Sequence, residues 1–153
     1  IDAKLLVLDE PTLGLDILFR KQFYSNLLNE YFDEQRTILI TTHQVEEVEH
    51  ILTDLIFIKD GKLILNDSMD DIYERYTEVM VKPGDVDEAR SMNPLHERVL
   101  FGRHIFLFDR ADVDRLDDFG EVHKPSVSDL FVALMGDKEA DAEAHAEIKE
   151  AGA

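Results

Sequence analysis

Residues 5–16 read LLVLDEPTLGLD, and no other stretch constrains the chain as tightly. Four apolar residues, 5–8, run directly into two adjacent carboxylates, Asp9 and Glu10, and then into Pro11 and Gly14. A short continuous apolar run bounded by turn residues reads as a buried strand of a parallel sheet, covered on both faces. Pro11 has no N–H to give to a sheet ladder, so the strand stops there. In open α/β sheets ligands sit outside the carboxyl ends of the strands, which turns Asp9 and Glu10 toward a site. One acid can hold a divalent metal, usually through water, and the other can orient or deprotonate an attacking water, as phosphate cleavage requires. A strand end that is merely solvated would also tolerate two acids.

The residues that follow bear on that choice. Asp16 can cap a helix running to about Glu34, because its carboxylate accepts from the first free backbone N–H groups. Phe19, Phe23, Leu27 and Tyr31 recur every fourth residue, with Leu28 and Phe32 widening the stripe, so this stripe is expected to form core against the sheet. Residues 36–41 (RTILIT) predict a second strand, and the strand–helix–strand order predicts a right-handed parallel crossover that sets the two carboxyl ends side by side. TTH, ending in His43, lies at that second end. A lone His at a strand end is more often structural or simply exposed. An imidazole can also donate one hydrogen bond while accepting another, which suits a group that holds a water and a phosphate oxygen.

LLVLDEPTLGLD resembles the Walker B strand and D-loop of ABC-type ATPases, and TTHQVEEVEH resembles their H-loop. The resemblance implies that Asp9 positions Mg²⁺, through water, and that Glu10 is the catalytic carboxylate beside the attacking water. It assigns Asp16 to the D-loop, and gives His43 a hydrogen bond to the γ-phosphate. Leu13 departs from the small or polar residue that many members carry, while Gly14, Leu15 and Asp16 are in place. The fold expected is α/β: the C-terminal part of a P-loop NTPase parallel-sheet domain, followed by a small α+β domain. ATP and Mg²⁺ are the cofactors implied. The partners implied are a second ATPase subunit and an integral-membrane permease.

Composition narrows the partners further. A hydrophobic fraction of 44% over 153 residues supports one ordinary core, or a partial core plus a small second unit. Sixteen Lys and Arg against 34 Asp and Glu leave a formal net charge of −18, a surface that repels nucleic-acid phosphate and anionic lipid. Without cysteine there is no disulfide, thiolate metal site or Cys nucleophile, which fits a reducing compartment such as the cytoplasm. No apolar run approaches the roughly 20 residues that span a bilayer, so any crossing belongs to another chain or segment, and the resemblance implies attachment to the cytoplasmic face of a membrane through the permease.

Downstream, a helix is expected from about Gln44 to Leu52, with Val45, Val48 and Leu52 inward and Glu46, Glu47 and Glu49 on a solvated face. His50 has no partner at metal-ligand spacing. Asp54–Lys59, the turn Asp60-Gly61 and residues 62–65 (KLIL) predict a hairpin. Ser68 can cap a short helix through Tyr76, with Ile72, Tyr73 and Tyr76 as its buried side. The ATPase-like part, 1–77, is expected to end near Thr77. Residues 78–136 predict strand, helix, two strands divided at Gly102-Arg103-His104, a helix near 111–118, a brief strand around Val122, and a last helix from Ser126 to Met135. Ser126 with Asp129 is a capping-box-like start, and Gly136 a C-terminal stop. This part resembles the small C-terminal domain of many ATPase subunits of prokaryotic ABC exporters, above all in PSVSDLFVALMG. It carries no catalytic constellation, and reads as a packing or dimer-contact module. Residues 137–153 are Ala, Glu, Asp and Lys with little to bury, an acidic tail expected to fray or remain disordered.

A phosphate cradle of the form GxxxxGK[ST] is absent from the sequence, as are an LSGGQ-like signature and a Q-loop. In the family all three precede the Walker B strand, and the chain enters that strand almost at once, so it is expected to be a C-terminal fragment, inactive alone. The function expected of the parent is ATP binding and hydrolysis by a subunit dimer, driving substrate, by export on the strength of the appendage, through the permease. Two other classes compete. A soluble ABC-type ATPase of DNA repair or translation would share the first half, but usually adds coiled-coil arms or a basic surface. A non-enzymatic interaction module would make Asp9, Glu10 and His43 incidental. The transported substrate is set chiefly by the permease, outside this chain.

Overall fold

The computed structural model describes residues 3–33 and 35–136; the acidic tail and the expected helix end at Glu34 lie outside the described residues. Backbone contacts divide the chain into two compact units, one up to Ile51 and one from Leu52 onward. The boundary expected near Thr77 falls inside a strand of the second unit. The chain is mixed α/β with small sheets.

In the first unit, strand β1 (Leu5–Asp9) leads through a loop into helix α1 (Ile17–Glu30), then strand β2 (Thr37–Thr41), helix α2 (Val45–Val48) and a 3-10 turn, Glu49–Ile51. β1 and β2 pair in parallel, in the register Leu5↔Thr37 through Asp9↔Thr41. Asp16 caps α1, its Oδ1 accepting from the N–H of Leu18 at 3.0 Å and of Phe19 at 3.1 Å. The helix stops at Glu30, four residues short of the expected Glu34, where the Tyr31 N–H closes on the Leu27 carbonyl.

Two expectations about burial are corrected here. A strand buried on both faces was expected, yet Leu5 and Val7 are each 55% exposed, because among the described residues this sheet has only two strands. The side chains of β1 and β2 alternate, so Leu6, Leu8, Ile38 and Ile40 form the half-buried face. The expected core stripe of α1 is only partly used: Phe23, Leu27, Leu28 and Tyr31 are half-buried, Phe19 is 58% exposed and Phe32 is exposed, while Tyr24, off the stripe, is the buried side chain of the helix at 3%.

In the second unit β3 (Asp54–Lys59) and β4 (Lys62–Ser68) form the expected hairpin, with a bulge at Phe57/Ile58. Asp60 and Gly61 turn it with φ of 51° and 73°, a two-residue turn with both centres left-handed. Ser68 caps helix α3 (Met69–Arg75), accepting from the Asp71 N–H at 3.1 Å. There follow β5 (Tyr76–Val81), a 3-10 turn Pro83–Asp85, α4 (Val86–Ser91), β6 (His96–Leu100), β7 (Arg103–Asp109), α5 (Val113–Asp117), β8 (Gly120–His123) and α6 (Val127–Met135). Tyr76, expected as the end of the helix, is the first residue of β5.

Strands β5 to β8 make one antiparallel sheet in the order β6-β7-β5-β8. The sequence β5-α4-β6-β7-α5-β8 with that order is the ferredoxin-like split βαβ arrangement. Val79, Val81, Phe106 and Phe108 on one face of the sheet pack with Val86 and Ala89 of α4, Leu116 of α5, and Phe119. Toward α6, Glu78 is 3% exposed. A buried carboxylate needs a cationic partner, and the Arg98 guanidinium reaches it at 3.2 Å while also meeting Asp129 of α6 at 3.2 Å. α6 is capped as expected by Ser126, whose Oγ accepts from the Asp129 N–H at 3.0 Å, and Phe131 stands edge-on to Phe57 with centroids 5.2 Å apart.

Candidate active site

The parallel register brings the carboxyl ends of β1 and β2 together, and the placement of Asp9, Glu10 and His43 follows from that. Asp9 is opposite Thr41, whose hydroxyl donates to Asp9 Oδ1. One residue on, the Glu10 N–H extends the ladder to the Thr41 carbonyl at 2.9 Å. Glu10 then leaves the strand with φ of 43°, a left-handed conformation that a non-glycine residue adopts at a cost. This turn carries its carboxylate to the end of β2.

There Glu10 and His43 meet. Glu10 Oε1 accepts from the His43 backbone N–H at 3.1 Å and is 2.8 Å from His43 Nδ1, while the Thr42 hydroxyl reaches Oε2 at 3.3 Å. The hydrogen bond from the His43 side chain is the main cause that holds the Glu10 carboxyl below the ordinary glutamate range; the charge and backbone N–H of His43 and the Thr42 hydroxyl act in the same direction, and partial burial opposes them. A depressed pKa means that the contact favours the folded state above the ordinary range and is lost as pH falls through the lowered value. His43→Ala is therefore expected to move the Glu10 titration upward, toward an ordinary glutamate. A carboxyl ¹³C NMR titration of both proteins measures it, and an unmoved Glu10 would rule out His43 as the cause.

The loop between Glu10 and Asp16 is held by residues that the motif reading passes over. Its backbone makes two successive turns, Leu13 N–H to the Glu10 carbonyl and Leu15 N–H to the Thr12 carbonyl, each 3.1 Å, and Gly14 supplies a φ of 83°. Thr12 is buried, its hydroxyl 3.3 Å from the Tyr24 hydroxyl and 3.4 Å from Glu47 Oε2. Arg20 donates from Nε to the Leu15 carbonyl at 2.6 Å and from its guanidinium to Gln44 Oε1 at 3.1 Å, and pairs with Glu47. Glu47, expected on a solvated face, is thus half-buried between Arg20 and Thr12. These contacts tie α1 and α2 to the loop that carries Asp16. They leave Asp16 itself as the helix cap, separate from the Asp9, Glu10 and His43 grouping.

The donor chemistry fits Mg²⁺. Among the described residues no three His or acidic side chains cluster into a cage, and a lone carboxylate suits a hard ion that keeps most of its waters. Asp9 Oδ1 is engaged by Thr41, while no hydrogen bond is made to Oδ2 among the described residues. Also among the described residues, no helix is long and apolar enough to cross a membrane.

No protein-family model matches the chain. It is similar to curated proteins across most of its length. Over 146 residues it is 30% identical to the ABC transporter ATP-binding protein YtrB of Bacillus subtilis (strain 168), covering 88% of this chain and 49% of that protein. Over 147 residues it is 31% identical to the Nod factor export ATP-binding protein I of Cupriavidus pinatubonensis (strain JMP 134 / LMG 1197), covering 88% and 45%. A shorter match, 43% over 72 residues, is to the SkfA peptide export ATP-binding protein SkfE of Bacillus subtilis (strain 168), covering 47% and 28%. The chain spans about half the length of the two relatives that it matches over 88% of its own.

Proposed function

We propose, from the premise that this chain is a homologue of the ABC transporter ATP-binding proteins, that it supplies the hydrolytic side of an ATP-cleaving site. The observation that carries the reading is the meeting of Glu10 and His43 at neighbouring parallel strand ends, with Asp9 next to Glu10 in the chain and opposite Thr41. Asp9, with Oδ1 engaged by Thr41, would hold Mg²⁺ through water. Mg²⁺, when bound, neutralises phosphate charge as the terminal phosphoryl group transfers. Glu10, kept ionised by His43, orients the attacking water and receives its proton as the new P–O bond forms and ADP leaves. His43 donates from Nδ1 to Glu10, and in its doubly protonated form Nε2–H is left to donate to a γ-phosphate oxygen. Asp16, on the loop entering α1, is assigned to the D-loop that faces a second subunit.

Around that site the reading extends to a dimer of such subunits on the cytoplasmic face of a membrane, coupled to a separate permease. Export is the direction proposed, since two of the relatives carry export in their names. Residues 1–77 are assigned to the nucleotide-binding domain and 78–136 to an accessory domain.

One consequence is measurable on these 153 residues. Because the sequence has no GxxxxGK[ST] cradle, it is expected to show no Mg²⁺-dependent ATP binding in calorimetry, whereas a chain of the relatives' length that carries a cradle binds. Submillimolar binding by the 153 residues alone would overturn this division of labour.

A further inference from the structure

We propose that a cleft of the second unit, where β7 ends and β6 begins, binds a small organic anion: a carboxylate or phosphate monoester carried on an apolar body. The cleft has a volume of about 340 Å³, within the range of about 300–1,000 Å³ common to small-molecule sites. Met92, Leu95 and the buried ring of Phe108 give it an apolar lining, and Arg110 and Arg115 supply the charge.

The state of the arginines carries the inference. In a chain with 34 acids against 16 Lys and Arg, carboxylate partners are plentiful. Arg20, Arg36, Arg75, Arg90 and Arg98 all take one, and Arg103 donates to the Met80 sulfur at 3.3 Å. The Arg110 N–H closes on the Arg75 carbonyl at 2.7 Å and its charge acts on Asp109, but the guanidinium groups of Arg110 and Arg115 make no hydrogen bond or ion pair among the described residues, and both residues line this cleft. The two acids beside them are already engaged. Asp109 is clamped in two-point fashion by Arg75, at 2.8 Å from Nε and 2.8 Å from Nη2, and Asp112 accepts from the Asp114 N–H at 3.1 Å as the cap of α5. The backbone adds a second observation. Among the described residues five non-glycines have positive φ, and two of them, Asn93 at 56° and Arg110 at 53°, line the cleft. Left-handed conformations at non-glycine positions gather where geometry is imposed for a ligand.

Two planar guanidinium groups in the lining of a partly apolar cleft fit a bidentate carboxylate or phosphate with a hydrocarbon or aromatic body. The proposal concerns the second unit alone and stands whether or not the first unit belongs to an ATPase.

The test uses the ¹⁵N-labelled full chain titrated with 4-phenylbutyrate, phenyl phosphate and the neutral 4-phenylbutanol. Amide shifts are expected at Met92, Leu95, Ala111 and Arg115, with at least one anion bound about tenfold or more tightly than the alcohol. Which anion wins separates a carboxylate ligand from a phosphate one. Arg110→Asn, a residue that tolerates the left-handed region, combined with Arg115→Gln, should abolish the preference while amides elsewhere stay in place. Arg115→Gln alone should weaken it, and Arg103→Gln, at the opposite end of β7, should leave it unchanged. Equal binding of the alcohol, shifts scattered over the chain, no binding by either anion, or a preference that survives both substitutions would overturn the proposal.

Discussion

Glu10→Gln, in a chain long enough to bind ATP, is expected to leave nucleotide binding intact and to lower turnover by about 10²–10⁴-fold. The substitution is chosen because geometry survives it. Glu10 Oε1 accepts from the His43 N–H and faces Nδ1, and an amide oxygen accepts in the same positions. What is lost is the negative charge and the capacity to take a proton from water. His43 keeps its place at the end of β2, so any fall in rate belongs to the chemistry and not to a collapsed loop. ATP retention and phosphate release, measured side by side, separate the two. Near-normal phosphate release would remove Glu10 from the base role, and a matching loss of ATP retention would make it a binding residue instead.

That Glu10 and His43 lie at neighbouring strand ends was legible from local pattern, because a parallel crossover fixes which strand ends are neighbours. The partners that hold them there were not. Thr12 sits in a turn with no periodicity to mark it, and its burial depends on Tyr24 of α1 and Glu47 of α2 arriving from 12 and 35 residues away. Glu47 looks like one of three glutamates on a solvated helix face until Arg20 is placed opposite it. A charged side chain's environment is a property of the element packed against it, and nothing in TTHQVEEVEH specifies that element.

Fold legibility divides along the same line. Asp16, Ser68 and Ser126 cap their helices as expected, and Asp60-Gly61 turns the hairpin, since each is decided within four residues. Burial is decided across the fold. Tyr24 is covered and Phe19 exposed because, among the described residues, one parallel pair offers α1 a narrow surface, so a stripe of regular spacing is only partly used. The second unit was readable as α+β, but its order β6-β7-β5-β8 required pairing β5 with both β7 and β8. Glu78, inside that sheet, shows the same limit: its sequence neighbours Thr77 and Val79 give no sign that Arg98 will meet it.

Gly120→Ala is expected to lower the stability of the second unit by about 2–3 kcal/mol, through overpacking that no rotamer can relieve. Gly120 opens β8 and pairs with Val81 of β5. A Cβ there would lie 2.0 Å from the Met80 carbonyl oxygen and 2.9 Å from its carbon. Both are backbone atoms, so the strands must separate instead of a side chain swinging aside. β8 has only four residues on the ladder, and the turn before it is tied by the Lys82 N–H to the Phe119 carbonyl at 3.0 Å. Displacing Gly120 therefore disturbs Phe119 and Val122, which close the core over Val79 and Val81. The expected fall in Tm is roughly 10–20 °C for a unit of this size. Gly84 is the control, because a Cβ built on it meets nothing within 4 Å, and Gly84→Ala should change stability by less than about 0.5 kcal/mol. Thermal unfolding followed by circular dichroism compares the two. If both variants melt with the parent protein, β8 does not approach β5 as closely as the pairing of Gly120 with Val81 requires.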